Sequence, residues 1–363
     1  MEIINIFFKK IKHIPRHRLG ERLVSGIKKR ILQYPQYISI QTVSACNLKC
    51  KHCFINDYHT EIEDGVIKIM QFNEFVLMAE RLKDIIKNAN YLTFSTFEAI
   101  LNKNIFSMMD VILDINPKMQ FPFLSNAMEL HAEKIHQLEK YPVPEINISL
   151  DGFKKETVER FKTEVDFDKI IATIKLLSRS TLKNKMAVTF VAHRDNIIEL
   201  PDYVDFVNTL GVKQIYVSNI LTFTKSLEGM ELYQSYGNQT AQAIFIEAIK
   251  RAKHNKQIIS LPELSPTLKG CQACESFFIN SNGDVAPCDF LAVSTPFTFL
   301  GETKKSKPVK FGNIFEQDPV KIWRSDSFKK FRNAHRTAKD LPNECTHCID
   351  AYGLMCSNRK TYQ

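Results

Sequence analysis

The chain lacks a long apolar run: none approaches the roughly 20 residues a spanning helix needs. The apolar opening from Ile3 to Phe8 has no charged front and no small-residue cleavage site, and it is not expected to act as a secretory signal. Internal repeats and low-complexity tracts are absent, which excludes solenoids and disordered linkers. A basic surface is absent from most of the chain as well. Residues 1 to 33 carry nine Lys or Arg against two Glu, so that segment holds +7 of the formal +9 and leaves +2 for the other 330 residues. A nearly neutral body is unsuited to tracking a phosphate backbone, and nucleic acid is disfavoured as a partner. A disulfide framework is missing too, because the nine cysteines are odd in number and gathered in short clusters. Such clusters read as metal ligands in a reducing compartment, and the expected location is the cytoplasm.

What is present is ordinary globular material, 44% hydrophobic and 25% charged over 363 residues. That length holds one barrel of about 250 residues and a smaller appendage. Six β-rich runs alternate with helical patterns: Tyr37 to Val43, Tyr91 to Ser95, Gln120 to Ser125, Glu145 to Leu150, Met186 to Ala192 and Lys213 to Ser218. The 3.6-residue period is clearest where Phe72, Phe75, Val76, Ala79, Leu82, Ile85 and Ile86 fall on one stripe, with Asn73 a candidate cap. Strands alternating with helices imply parallel pairing. The expected fold is α/β, a partial (β/α)6 TIM-like barrel over residues 37 to 255, with a small Cys-rich metal-cluster domain over 256 to 363. Residues 1 to 36 form a basic extension in which Phe7, Phe8 and Ile11 interleave with Lys9, Lys10 and Lys12. Such a helix either lies on an anionic membrane or caps the barrel end with its charges in water.

Directly after the first candidate strand stand Cys46, Cys50 and Cys53, spaced C-x3-C-x2-C. Three thiolates on one short loop hold three corners of a four-iron cube and leave one iron for a non-protein ligand. The spacing fits neither four-cysteine ferredoxin runs nor paired zinc knuckles. In this triplet the chain resembles the radical S-adenosylmethionine (SAM) enzymes. The resemblance implies a 4Fe-4S cluster whose open iron is chelated by SAM, reductive cleavage to a 5′-deoxyadenosyl radical, hydrogen abstraction from substrate, and an electron donor such as ferredoxin or flavodoxin. It also implies cofactor-binding positions. His52 stands where the family has an aromatic residue, and Phe54 flanks the last cysteine. Glu98, in Thr96-Phe97-Glu98-Ala99, stands where the family has Gly-Gly-Glu-Pro, with side chains replacing both glycines. Asn126, in Ser125-Asn126-Ala127, stands where Thr-Asn-Gly is common, and Ser149 and Asp151 lie in Ser-Leu-Asp-Gly. Each follows a candidate strand, where barrels of this kind place their reactive centre. Asn196 and Arg194 follow the fifth strand and read equally as site or as surface loop.

The second cysteine field comprises Cys271, Cys274, Cys288, Cys345, Cys348 and Cys356, with an Asn-Gly hairpin signal at Asn282-Gly283. Taken alone, two C-x2-C pairs describe a zinc ribbon. Beside the triplet they resemble the SPASM or twitch extension of radical SAM enzymes, which implies an auxiliary cluster. Six cysteines compete for four places, so one auxiliary 4Fe-4S cluster is expected, with Cys274 and Cys356 the less certain ligands. The functional expectation is a radical SAM enzyme that oxidises or couples its substrate, either a small or lipid-like metabolite or a ribosomal peptide. The alternative is a non-catalytic metal-binding protein on a degenerate scaffold.

Overall fold

The structure is a computed structural model that describes residues 33–53, 68–94, 97–223, 227–272, 275–355 and 360–363. The expectations for the basic extension through residue 32, and for Phe54, Thr96, Cys274 and Cys356, lie outside the described residues.

The strands in chain order are β1 (Tyr37–Ile40), β2 (Lys49–Cys50), β3 (Tyr91–Thr93), β4 (Phe123–Ser125), β5 (Ile146–Ser149), β6 (Lys162–Thr163), β7 (Met186–Ala192), β8 (Gln214–Asn219) and β9 (Ile258–Leu261). The C-terminal part adds β10 (Ser276–Ile279), β11 (Asp284–Ala286), β12 (Pro296–Phe299), β13 (Glu302–Lys305), β14 (Gly312–Asn313) and β15 (Lys360–Tyr362). Each of the six runs read from the sequence contains a strand, shorter by a few residues at most ends. Parallel ladders join β4, β5, β7, β8 and β9 in that order, and β1 pairs with β3. A bridge between Tyr91 and Gln120 links the two groups into one curved wall.

The sheet extends beyond the expectation at both edges. β9 continues the parallel ladder past residue 255, and β10 lies parallel to β1 in the register Tyr37↔Ser276 to Ile40↔Ile279. The Cys-rich segment therefore supplies a strand of the barrel wall. Its Asn-Gly turn closes the β10–β11 hairpin, with Gly283 at φ +85°, where a Cβ would meet the Phe315 ring at 2.5 Å.

Helices cover the outer face because each parallel crossover needs one. The stripe from Phe72 forms two helices, Phe72–Arg81 and Lys83–Asn88, and buries Phe75, Ala79, Leu82, Ile85 and Ile86. The first begins at Gln71, whose N–H donates to Glu74 Oε2 at 2.8 Å, rather than at Asn73. Asp166 caps the helix Phe167–Leu177 by accepting from Lys169 N, and Asn238 caps Gln239–His254 by accepting from Ala241 N. A short helix, Lys155–Phe161, was not read from the sequence, and it leads directly into β6. That lead-in matters, because β6 pairs with β2 and sets Lys162 opposite Cys50.

Candidate active site

The cysteine triplet rises from the C-terminal end of β1 and is pinned on two sides. The Cys50↔Lys162 pairing holds its middle, and Cys53 N donates to Cys50 O at 3.1 Å to close the turn. Cys46, Cys50 and Cys53 are all half-buried. Burial raises the Cys46 thiol above its ordinary range and pushes Cys50 up to about 12. Soft thiols deprived of water are poor free acids but good metal ligands, since a cation restores the lost solvation.

Two groups of polar side chains meet the triplet. In the first, Glu98 is buried at 2% exposure and accepts from Ser125 Oγ at 2.8 Å and from Asn126 N at 2.7 Å. Burial pushes Glu98 up to about 7 despite those two donors. Asn126 Nδ2 donates to Asn47 Oδ1 at 2.8 Å and lies 3.5 Å from Cys46 Sγ, which ties the β3 and β4 loops to the triplet. The next residue, Ala127, sits at φ +70°, the left-handed region that favours glycine.

In the second group, Asp151 and Lys162 form a buried ion pair with Nζ 3.1 Å from Oδ2. The Lys162 ammonium also donates to Ser149 O at 2.9 Å and Ser149 Oγ at 2.7 Å. His52 Nε2 stands 3.7 Å from Asp151 Oδ2, and His52 Nδ1 is buried with no hydrogen-bond partner. Burial lowers the His52 pKa, with Asp151 opposing and Lys162 assisting. Burial alone would raise Asp151; the nearby Lys162 and His52 outweigh it and hold the carboxyl below its ordinary value. His193, which burial lowers to about 4, lies beside this group with its ring 3.9 Å from that of Phe161.

The structure thus brings Cys46, Cys50, Cys53, His52, Glu98, Asn126, Ser149 and Asp151 to one end of the barrel. It does not bring Asn196 or Arg194 there as open groups. Asn196 Nδ2 donates to Asp151 O and Val191 O at 3.0 and 2.9 Å, so it is a staple of the turn. Arg194 is exposed against Asp195. Sequence reading missed Lys162, which belongs to no motif and acquires its partner only through the β2–β6 pairing.

Farther along, Cys271, Cys288, Cys345 and Cys348 line a single cavity with Phe290, Phe297 and His335. Among the described residues no three His, Cys, Asp or Glu side chains are drawn together around one ion position. A tetrahedral zinc site would gather four sulfurs to about 3.8 Å of one another. Soft thiolates suit zinc and iron-sulfur clusters alike, and four of them line this cavity. Burial raises the Cys288 thiol far above its ordinary range and pushes Cys348 up to about 12. Cys271 Sγ donates to Asp350 Oδ2 at 2.9 Å, and Cys271 N donates to His335 Nδ1 at 3.0 Å. Gly270 makes that approach possible, since a Cβ there would meet His335 O at 1.9 Å.

The two cysteine sites share a partition. Phe97, Phe223 and Phe297 form a buried apolar group against which Cys46, Cys53, Leu221, Phe290 and Val293 pack. Phe290 and Phe297 also line the four-cysteine cavity. Their rings lie 5.7 Å apart, and Phe223 is 5.5 Å from Phe297. Backbone and hydroxyl bonds between Thr222 and Thr298, at 2.9 and 2.7 Å, fasten the loop after β8 to β12.

A three-thiol loop at the mouth of a partial barrel, facing a second thiol-lined cavity, defines a class of iron-sulfur enzyme. Residues 40–207 match the radical SAM superfamily and residues 271–349 match the SPASM iron-sulfur cluster-binding domain. Together these segments cover about two thirds of the chain, and the chain belongs to the radical SAM superfamily as an enzyme with a SPASM-type C-terminal domain. The family's cofactors are a 4Fe-4S cluster and SAM, and its SPASM domains bind auxiliary iron-sulfur clusters.

Among curated relatives, the tungsten-containing aldehyde ferredoxin oxidoreductase cofactor-modifying protein of Pyrococcus furiosus is 25% identical, over 86% of this chain and 87% of that protein. The GTP 3′,8-cyclase of Nautilia profundicola is 21% identical over 71% of this chain and 82% of its own length. Among solved structures, anSMEcpe with bound AdoMet superposes with a TM-score of 0.63 at 17% identity, covering 90% of this chain and 92% of that one. Streptococcus suis SuiB bound to S-adenosylmethionine gives 0.59 at 16% identity, covering 92% and 76%. These structural likenesses are likenesses of fold. No helix among the described residues is long and apolar enough to cross a membrane.

Proposed function

We propose that this radical SAM enzyme oxidises an apolar side chain of a peptide substrate held between two iron-sulfur centres. In this reading Cys46, Cys50 and Cys53 hold the SAM-binding 4Fe-4S cluster, and Cys271, Cys288, Cys345 and Cys348 hold one auxiliary cluster. When bound, these groups supply one-electron reduction, hydrogen-atom removal and an acceptor for the electron left behind. The chain's own residues orient and enclose. Glu98 and Asn126 fix the β3 and β4 loops beside Cys46, and Lys162 neutralises Asp151 so that the polar floor carries no uncompensated charge. His52 keeps an unpartnered Nδ1 for the cofactor. The phenylalanine partition keeps water from the reacting carbon. We place the boundary between barrel and auxiliary domain after β9 rather than at residue 255, because β9 extends the barrel ladder.

The observation that carries the peptide reading is the partition itself. A substrate reaching both cysteine sites meets Phe290 and Phe297, hydrocarbon surfaces that suit an aliphatic or aromatic side chain. Structures of SuiB with precursor peptide SuiA and of anSMEcpe with the Cp18Cys peptide are among the fold's relatives, which supports the same reading. A second reading, modification of a small cofactor, draws on the P. furiosus relative at 25% identity. Cyclisation of a nucleoside triphosphate is less well served by the site's cations. Among the described residues near the triplet, Lys162 is committed to Asp151 and Lys51 lies over the Phe161 ring.

The test uses anaerobically loaded protein with SAM and reductant, supplied with peptides bearing apolar or acidic central residues, or with GTP. Formation of 5′-deoxyadenosine with loss of two hydrogens from apolar peptides is expected. Turnover with GTP and with none of the peptides would refute the peptide assignment.

A further inference from the structure

A cube held by three thiols keeps one iron for an outside ligand, and that ligand reaches the iron only through the space bordering the triplet. Phe97 belongs to the group of rings that borders this space, the group against which Cys46 and Cys53 pack. The ring is 8% exposed, and its backbone is held close by. Glu98, the next residue, accepts from Asn126 N at 2.7 Å, and Asn126 Nδ2 lies 3.5 Å from Cys46 Sγ. The backbone therefore has little room to retreat, and any clearance has to come from the ring's own torsions. The wall behind it is firm, since Phe223, Phe290 and Phe297 pack within 5.5 to 5.7 Å of one another and the Thr222–Thr298 bonds lock two of their segments together.

We propose that Phe97 is a steric gate on the SAM pocket: its ring occupies volume beside the triplet that SAM would require, so binding demands that the ring leave the phenylalanine group. The proposal rests on the radical SAM reading of the triplet. Taking a buried phenylalanine ring out of apolar contact weakens the apparent affinity about tenfold to a hundredfold, because only the open fraction of the protein binds.

The experiment titrates anaerobically loaded protein with SAM, reading the dissociation constant by equilibrium dialysis and by the change in the reduced cluster's EPR spectrum. Phe97→Gly is expected to tighten SAM about tenfold or more. Phe297→Leu, which loosens the wall and leaves the gate in place, is expected to tighten it by a smaller factor. Equal or weaker SAM binding by Phe97→Gly overturns the gate while leaving SAM binding, and so the enzyme reading, intact. Should Phe97→Gly fail to fold or to load iron, Phe297→Leu decides alone, and an unchanged constant overturns the proposal. Absence of SAM binding in wild type and variants alike, with iron loaded, overturns the gate and the enzyme reading together.

Discussion

Replacing Lys162 by methionine isolates the contribution of one buried charge. Both Lys162 and Asp151 are 2% exposed, and the ammonium meets Asp151 Oδ2 at 3.1 Å while donating to Ser149 O and Oγ. Methionine keeps most of the stem and its packing but removes the charge and three donors. The carboxylate is then left uncompensated in the interior, and breaking such a pair costs about 3–5 kcal/mol. His52 Nε2, 3.7 Å from the same oxygen, is the reserve cation. Burial first, and Lys162 with it, holds His52 below its ordinary pKa. Deleting Lys162 removes that repulsion and leaves Asp151 to draw a proton onto the imidazole.

The signs follow from linkage. The depressed Asp151 contributes stability above the ordinary carboxylate range and loses it as pH falls through its folded pKa. A His52 whose pKa rises in the variant contributes stability below about 6.5 and loses it as pH rises through the folded value. The penalty of Lys162→Met is therefore larger at about pH 8 than at about pH 5.5. Urea unfolding of the iron-free protein under reductant, followed by circular dichroism at both pH values, measures it. The double variant Lys162→Met with Asp151→Leu should be less destabilised than the sum of the single changes. A cost below about 1 kcal/mol at pH 8, or an equal cost at both pH values, would refute the reasoning.

Three further outcomes are expected. Glu98, raised from 4.5 to about 7, contributes stability below 4.5 that is lost as pH rises through 7; the span is on the order of 3 kcal/mol, and Glu98→Gln should flatten the pH dependence of unfolding across that window. Ala127→Gly relieves about 1–2 kcal/mol of left-handed strain against about 1.5 kcal/mol of lost methyl burial and added chain entropy, so it should be nearly neutral in a thermal melt, whereas Ala187→Gly in β7 should cost about 1.5 kcal/mol. For the basic segment, flotation with anionic liposomes separates its two readings: greater partitioning of the full chain than of one lacking residues 1 to 33 marks a membrane helix, and equal partitioning removes the membrane role.

The barrel was legible in the sequence because a parallel strand followed by an amphipathic helix writes two periods into the chain. β7, Met-Ala-Val-Thr-Phe-Val-Ala, was read with its bounds intact. The grouping of the candidate site was legible where chemistry is concentrated in short spacings, as at Cys46 to Cys53 or Ser149 to Asp151. It was illegible where a role is conferred by contact alone. Lys162 sits in an unremarkable Phe-Lys-Thr, and only the antiparallel β2–β6 pairing sets it against the triplet. Phe223 and Phe290 come from separate loops and Phe297 from β12, so no periodicity joins them. β9 and β10 were missed as barrel strands for a related reason, since pairing partners far apart in sequence leave no local signature.

The lateral bond between β1 and β10 bears on how the protein is made. Tyr37 finds Ser276 only after about 240 more residues have been synthesised, a wait of roughly 12 to 50 seconds at ribosomal speeds of about 5–20 residues per second. Until then one flank of the nascent wall stands unzipped, an invitation to pair with a neighbouring chain. A fragment ended at residue 255 would keep that open flank permanently and should aggregate. The Cys-rich tail is in this sense the last stave added to the wall, and it covers the β1 flank.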